Sequence, residues 1–130
     1  MDKVKEYREW LIFADDDIQT AELLNNQHRK SLNIICFHCQ QAAEKYLKAF
    51  LISRNISFEK THDLIYLCNF CSAAENDFSS ISKDCYKLNP FSVITRYPSE
   101  LELIESDAVT AINSARSIER IVLDKIKSDS

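Results

Sequence analysis

A line of polar side chains crosses the most apolar part of this 130-residue sequence. Its four members recur at steps of three, four and three and are His38, Gln41, Lys45 and Lys48. This polar strip lies on one side of a predicted helix, where imidazole, amide and ammonium groups could together bind an anion such as phosphate. Glu44 lies four residues before Lys48 and is expected to pair with it, which leaves Lys45 free for a ligand.

His62 is a second candidate for anion binding. It lies at the predicted start of a helix, whose first backbone N–H groups have no partner within the helix, and Lys60 and Arg54 precede it. Residue types alone also fit a plainer interpretation of the polar strip. In that interpretation His38 is a hydrogen-bonded, half-buried side chain, and the lysines extend along the helix to reach water.

Five cysteines raise the question of a metal site, because four of them form the pairs Cys36-x-x-Cys39 and Cys68-x-x-Cys71. Two such pairs could supply the four thiolates of a structural zinc site. All four also lie in the apolar stripes of predicted helices, where cysteine acts as a small hydrophobic residue. We therefore expect reduced, buried thiols and no metal or other cofactor, with zinc as the alternative.

Two other charged groups have simple explanations. Asp15, Asp16 and Asp17 are consecutive, so on a helix their carboxylates point about 100° apart and cannot converge on one metal ion. We expect them to form a solvated face. Arg116 lies three residues before Glu119 near the exposed side of the last predicted helix, which requires only surface ion pairing.

The absence of glycine excludes several enzyme and cofactor classes. Gly-rich phosphate loops, dinucleotide-binding fingerprints, nucleophile elbows and EF-hand turns all need positions that side chains would obstruct. The formal charge of −4 argues against a general DNA-coating protein. Residues 26–62 nevertheless hold six basic and two acidic side chains, a net +4, and this basic part contains the polar strip and His62.

Apolar residues recur at steps of three and four in several segments, which predicts amphipathic helices. We expect long helices over residues 4–25, 30–54 and 106–126, the last with Ser106 as its N-cap, and a shorter one over 78–88. Another helix begins near His62 with Thr61 as its N-cap. Residues 89–105, which contain both prolines, should form the one long loop.

The sequence therefore predicts an all-α fold, an up-down bundle of four to five helices. Short links make the first three helices antiparallel neighbours, and the second helix, which is apolar on two sides, should be the most buried. Length and composition predict a single domain over residues 1–130. A charged start and short apolar stretches indicate a cytoplasmic protein without a membrane segment.

The sequence also resembles the HEPN family over nearly its whole length. The segments that carry the resemblance are Cys36-Phe37-His38-Cys39-Gln40-Gln41-Ala42-Ala43-Glu44-Lys45-Tyr46-Leu47-Lys48-Ala49-Phe50, Lys60-Thr61-His62-Asp63-Leu64, Arg96-Tyr97-Pro98 and the alanine-bearing last helix. The resemblance implies a small helical bundle that normally forms a symmetric homodimer. This fold agrees with the one predicted from the periodicity.

For function, the resemblance implies two possibilities. Many stand-alone prokaryotic HEPN proteins are partners of a small nucleotidyltransferase encoded beside them, as in two-gene toxin–antitoxin modules, and the family name reflects suspected nucleotide binding. Other members are metal-independent ribonucleases, in which an arginine is followed after four to six residues by a histidine. No arginine of this sequence has a histidine in that window, and Arg54 to His62 is one residue too long.

The leading hypothesis is therefore a non-catalytic HEPN homodimer that binds a nucleotidyltransferase partner and a nucleotide or RNA phosphate in a groove lined by the polar strip. His62 and Arg96 would lie at the rim of this groove, and Tyr97 could stack on a base. The alternatives are a degenerate metal-independent ribonuclease that uses His38 or His62, and a purely structural helical adaptor.

Overall fold

The computed structural model describes residues 2–93 and 102–128, and the regular structure in these ranges is entirely helical. The helices are α1 (Lys3–Asn25), α2 (Leu32–Ser53), α3 (Leu64–Ala74), α4 (Ser82–Leu88) and α5 (Glu105–Ser128). The predicted all-α fold is confirmed. Within the described ranges, no helix combines the length and the apolar character needed to cross a bilayer.

Helix α2 lies at the centre of the bundle and packs against α1, α3, α4 and α5. Ile35, Leu47 and Phe50 are fully buried on its apolar sides, and the apolar core includes side chains from all five helices. Helix α1 runs antiparallel to α2, since Trp10 near its start lies over Lys48 and Asp17 further along contacts His38. The prediction that the second helix is the most buried is confirmed.

The predicted N-caps of α3 and α5 are wrong. Helix α3 begins at Leu64, because the carboxylate of Asp63 accepts hydrogen bonds from the backbone N–H groups of Ile65 and Tyr66. The hydroxyl of Thr61 instead accepts from the backbone N–H of Asp63. Helix α5 begins at Glu105, so Ser106 lies inside its first turn rather than before it.

The segment predicted as one short helix over residues 78–88 consists of two different helical pieces. Residues Asn76–Ile81 form a 3₁₀ segment, and α4 begins only at Ser82. Serine side chains compete with the backbone for hydrogen bonds, which disfavours a continuous α-helix here. The predicted loop over 89–105 also begins with a 3₁₀ turn at Asn89–Phe91, where Pro90 fixes a compatible backbone angle. Residues 94–101 of this predicted loop lie outside the described residues.

Asn55 ends helix α2 in a chain that has no glycine for this purpose. Its φ of 60° lies in the left-handed region, and the next N–H, that of Ile56, donates to the carbonyl of Leu51 at 2.9 Å. This is a Schellman motif, in which asparagine takes the place usually held by glycine. The motif turns the chain into the segment that carries His62.

Candidate functional site

Asp17 of α1 binds two members of the polar strip at once. Its Oδ1 lies 2.9 Å from Nδ1 of His38. Its Oδ2 forms an ion pair with the ammonium group of Lys45 and accepts a hydrogen bond from it. The Asp17 side chain is only 13% exposed. The expectation that Lys45 stays free is therefore wrong, and so is the expectation that Asp17 belongs to a fully solvated face. We call these three residues the Asp17 cluster.

Glu44 binds the other two basic groups. Its Oε2 accepts a hydrogen bond of 2.9 Å from the ammonium group of Lys48, so the predicted pair four residues apart is confirmed. Its Oε1 lies 2.9 Å from Nδ1 of His62. The side chains of Glu44 and Lys48 are 4% and 7% exposed, whereas that of His62 is 67% exposed. We call these three residues the Glu44 cluster.

The Glu44 cluster fixes the orientation of the His62 ring. Because the Glu44 carboxylate can only accept, Nδ1 of His62 donates to it, and Nε2 on the other edge of the ring is left to face solvent or a ligand. The backbone carbonyl of His62 also accepts from Nε2 of Gln40 at 3.0 Å, and Gln40 in turn accepts from Gln41 at 2.7 Å. Side chains of α2 thus hold this loop residue at two points.

Lys48 is enclosed by α1 as well as by its carboxylate partner. Its ammonium group lies 5.6 Å from the centroid of the Trp10 ring, a cation–π contact. Since the Lys48 side chain is only 7% exposed and its ammonium group contacts both Glu44 and Trp10, it is not presented to a ligand. Within the described residues the polar strip is therefore two carboxylate-centred clusters, each with one lysine and one carboxylate that cancel, and not a positively charged groove.

The remaining predicted site residues are placed as follows. Gln41 is half-buried and tied to Gln40, and His62 presents its ring at the surface. Arg96 and Tyr97 lie outside the described residues. The structure therefore brings His38 and Lys45 together on Asp17, and Lys48 and His62 together on Glu44.

A third polar network, which the sequence reasoning missed, joins α1, α2 and α5. Arg116 pairs with Glu22 of α1 and donates to Glu119 at 2.8 Å, and the Tyr46 hydroxyl donates to the same Glu119 at 2.9 Å. The hydrogen bond to Glu22 raises the pKa of Arg116, while burial, more than the bond to Glu119, raises the pKa of Tyr46. The expected surface pairing of Arg116 is thus a half-buried tie between helices.

Asp17 was the other omission, and its position carried a signal. It lies directly before Ile18 and three residues after Ala14, both of which are buried. A carboxylate at the edge of an apolar stripe meets the neighbouring helix rather than bulk water. Which cations of that helix it meets depends on the relative register of the two helices.

The five cysteines are free and buried, as expected for small hydrophobic residues. The Cys36 thiol points to the carbonyl of Asp107 in α5 at 4.0 Å, while that of Cys68 points to the carbonyl of Phe78 at 3.8 Å. Burial raises the pKa of Cys36 to about 11. A hydrogen bond from Cys85 lowers the pKa of Cys68 to about 7. Within the described residues, no group of three possible ligands could hold a metal ion.

Comparison with known proteins identifies the fold. A protein-family model described as the HEPN domain matches residues 7–126. The crystal structure of an archaeal HEPN homologue superposes with a TM-score of 0.74 at 24% sequence identity, over 92% of this chain and 97% of that one. A crystal structure from Thermus thermophilus gives a TM-score of 0.73 at 23% identity with the same coverage. No curated protein shows a significant match.

Proposed function

The chain belongs to the HEPN family, and from that premise we propose that it is a non-catalytic homodimer that binds a nucleotidyltransferase partner. We propose further that a nucleotide or RNA phosphate binds at the face around His62. The setting is the cytoplasm, which the five free thiols support.

The observation that carries this proposal is the engagement of each polar-strip cation by a carboxylate of the same chain. His38 and His62 contact different carboxylates, Asp17 and Glu44. A metal-independent cleavage of RNA needs a proton acceptor, a proton donor and a cation at one phosphate. In this protein the histidines and lysines are already paired with Asp17 and Glu44 in two separate clusters. These contacts hold the side chains in place, which favours recognition over catalysis.

His62 is the strip-associated group best suited to meet a ligand. Its ring is exposed, its outer nitrogen has no partner within the described residues, and its inner nitrogen is bound to the buried Glu44. Lys60 and Thr61, which precede it, are exposed and half-buried respectively, so a phosphate at His62 would have a cation nearby. Gln41, Arg96 and Tyr97 remain proposed members of this face.

The proposed dimer and partner contacts draw on apolar side chains that the single chain leaves at its surface. Those on α1 and α5 include Ile12, Phe13, Leu23, Val109 and Leu123. Isolated exposed apolar residues are normal, but several on two long helices support an interaction surface. Co-purification of the tagged chain with the product of the adjacent gene tests the partner directly, and its absence would remove the nucleotidyltransferase part of the proposal.

The ligand part is tested by titrating labelled ATP and a short single-stranded RNA into the protein and into the variant His62→Ala. The matched control is His28→Ala, which removes an exposed histidine from the link between α1 and α2. Loss of binding in His62→Ala alone supports the proposal. Equal binding by all three proteins, or no binding by any, would remove the ligand part of the proposal, and no binding by any would favour the purely structural adaptor.

One observation favours a second function, the metal-independent ribonuclease. In many enzymes a catalytic imidazole is oriented by a carboxylate that accepts a hydrogen bond from one ring nitrogen, while the other ring nitrogen faces the substrate. The side chains of Glu44 and His62 have this arrangement. In this alternative His62 takes the proton from the 2′-hydroxyl of RNA, the 2′-oxygen bonds to the adjacent phosphorus, and the 5′-oxygen of the next nucleotide leaves with a proton from water. Cleavage by EDTA-treated protein that His62→Ala abolishes and His28→Ala preserves would establish it.

A further inference from the structure

Two of the five cysteines share one small cavity. Cys68 of α3 and Cys85 of α4 are almost fully buried, at 3% and 1% exposure, and both line a cavity of about 190 Å³ between these helices. The lining also includes four residues that are exposed to solvent, which are Asn69, Ser82, Lys83 and Tyr86. The two thiols therefore face a cavity with an exposed rim, through which a small solute can reach them.

A hydrogen bond joins the two thiols. Cys85 donates to the sulfur of Cys68, and this bond lowers the pKa of Cys68 to about 7. The hydroxyl of Ser72, 4.0 Å from the same sulfur, also lowers it. At neutral pH Cys68 is thus partly a thiolate, which is the form that reacts with oxidants, and a second thiol lies beside it.

The other three cysteines are placed differently. Cys71 is fully buried, does not line the cavity, and its thiol points to the backbone carbonyl of Leu47 in α2 at 3.8 Å. Cys36 and Cys39 are fully buried on α2, away from this cavity, and burial raises the pKa of both. The thiol available to an oxidised Cys68 is therefore its neighbour across the cavity.

We propose that Cys68 and Cys85 form a reversible disulfide when the protein meets hydrogen peroxide. First, the Cys68 thiolate attacks one peroxide oxygen, the O–O bond breaks, and the hydroxide that leaves takes up a proton and becomes water, so that Cys68 is a sulfenic acid. The Cys85 sulfur then loses its proton and attacks the Cys68 sulfur, the S–O bond breaks, and the hydroxyl leaves with a proton as a second water. The two thiols lose two electrons, and the peroxide gains them.

The first step favours the second. The hydrogen bond to Cys68 is the largest cause that raises the pKa of Cys85, ahead of burial. A neutral sulfenic acid is a weaker acceptor than a thiolate, so Cys85 releases its proton more easily once Cys68 is oxidised. The disulfide ties α3 to α4 across the segment Asn76–Ile81. His62 does not line the cavity, so this inference does not depend on the proposed function.

Peptide mapping after mild oxidation tests the pair. The reduced full chain is treated with hydrogen peroxide, its free thiols are blocked with N-ethylmaleimide in urea, and it is digested with trypsin without reductant. Cleavage after lysine places Cys85 on a peptide of residues 84–87, whereas Cys68 and Cys71 stay together on one of residues 61–83. We expect these two peptides to be linked, with the link released by dithiothreitol and its Cys68 end assigned by fragmentation.

Two variants identify the sulfur atoms that react. Cys85→Ser keeps a hydroxyl that can donate to Cys68 but cannot form the disulfide, so Cys68 should accumulate as a sulfenic acid that dimedone traps. Cys71→Ala is the matched control, because it removes the other cysteine of α3 and should leave the link unchanged. Thermal melting of the reduced proteins confirms that each variant is folded. A link through Cys71, a disulfide between two chains, or maleimide on all five cysteines after peroxide treatment would overturn the proposal.

Discussion

Glu44 is the residue on which the geometry around His62 depends. It is almost fully buried, and its two oxygens bind a buried lysine and an exposed histidine. A buried carboxylate is tolerated only with compensating partners, because removal from water costs several kcal/mol. The same contacts that allow Glu44 to be buried therefore position the imidazole that we propose as the ligand contact.

Substitution of Glu44 should expose this dependence. Glu44→Gln leaves Lys48 as an uncompensated buried charge, and we expect the free energy of unfolding to fall by about 3 kcal/mol. The double variant Glu44→Gln/Lys48→Met removes both charges and should recover at least half of that loss. Urea unfolding of each protein measures the effect, with Glu59→Gln as an exposed control that stays within about 0.5 kcal/mol of the parent. Equal losses in the single and double variants would contradict the role of the pair.

Cys68 should be the most reactive of the five thiols. The bond from Cys85 lowers its pKa to about 7, whereas burial raises the pKa of Cys36 to about 11. Cys68 also lines a cavity of about 190 Å³ that can admit a small alkylating reagent. Since the thiolate is the nucleophile, labelling of the folded protein by iodoacetamide should increase with pH around a midpoint near 7.

Mass spectrometry of the labelled peptides identifies the modified cysteine. In Cys68→Ser the early label should disappear, because burial raises the pKa of Cys36, Cys39 and Cys71. Preferential labelling of Cys36 at pH 8 would be inconsistent with the hydrogen bond between Cys68 and Cys85.

At the scale of elements, the Asp17 cluster fixes α1 against α2. One carboxylate contacts two residues that are seven positions apart on α2, His38 and Lys45, and so defines the register of the two helices. The same carboxylate compensates the ammonium group that would otherwise attract an anion. The contact with Asp17 thus has two consequences: it holds α1 against α2, and it neutralises the charge of Lys45.

Asp17→Asn separates these consequences. We expect a loss of about 1–2 kcal/mol in the free energy of unfolding, because hydrogen bonds to a charged group are replaced by weaker ones. We also expect tighter binding of phosphate ligands, since Lys45 loses its competing anion. The neighbouring exposed Asp16→Asn is the control and should change neither quantity. Unchanged stability in Asp17→Asn would show that the contact does not hold the two helices.

The end of α2 gives a prediction about the backbone. Asn55→Ala places a side chain with no local polar partner at a φ of 60°, which should cost about 1 kcal/mol or more. Asn55→Gly should be neutral or slightly stabilising, because glycine adopts this angle without strain. Thermal unfolding of the two variants provides the comparison. Greater stability of the alanine variant would mean that α2 does not end in a Schellman motif.

At the scale of the whole molecule, the sequence was sufficient to locate the three long helices and a contact within one helix, but not for the starts of α3 and α4. Apolar residues at steps of three and four located α1, α2 and α5, and the spacing of four residues identified the pair of Glu44 and Lys48. Contacts between helices were not accessible. Asp17 and His38 are 21 residues apart and Tyr46 and Glu119 are 73 apart, and such pairs require the relative rotation and register of packed helices.

The proposed homodimer is tested by sedimentation equilibrium. We expect twice the chain mass of 15.1 kDa, because association would cover apolar side chains that the single chain leaves exposed on α1 and α5. A monomer at micromolar concentration would contradict the proposed dimer, although it would leave the bundle itself intact.

The central claim is that the face around His62 binds a phosphate group and breaks no bond. Fluorescence anisotropy of a labelled single-stranded RNA in the presence of EDTA, with the same samples then run on a denaturing gel, tests both parts in one measurement. We predict saturable binding that is weakened at least fivefold in His62→Ala but not in His28→Ala, with the RNA intact throughout, since a charge-assisted contact is worth about 1.5 kcal/mol or more. RNA shortened by the parent protein and left whole by His62→Ala would contradict the account, as would the absence of saturable binding.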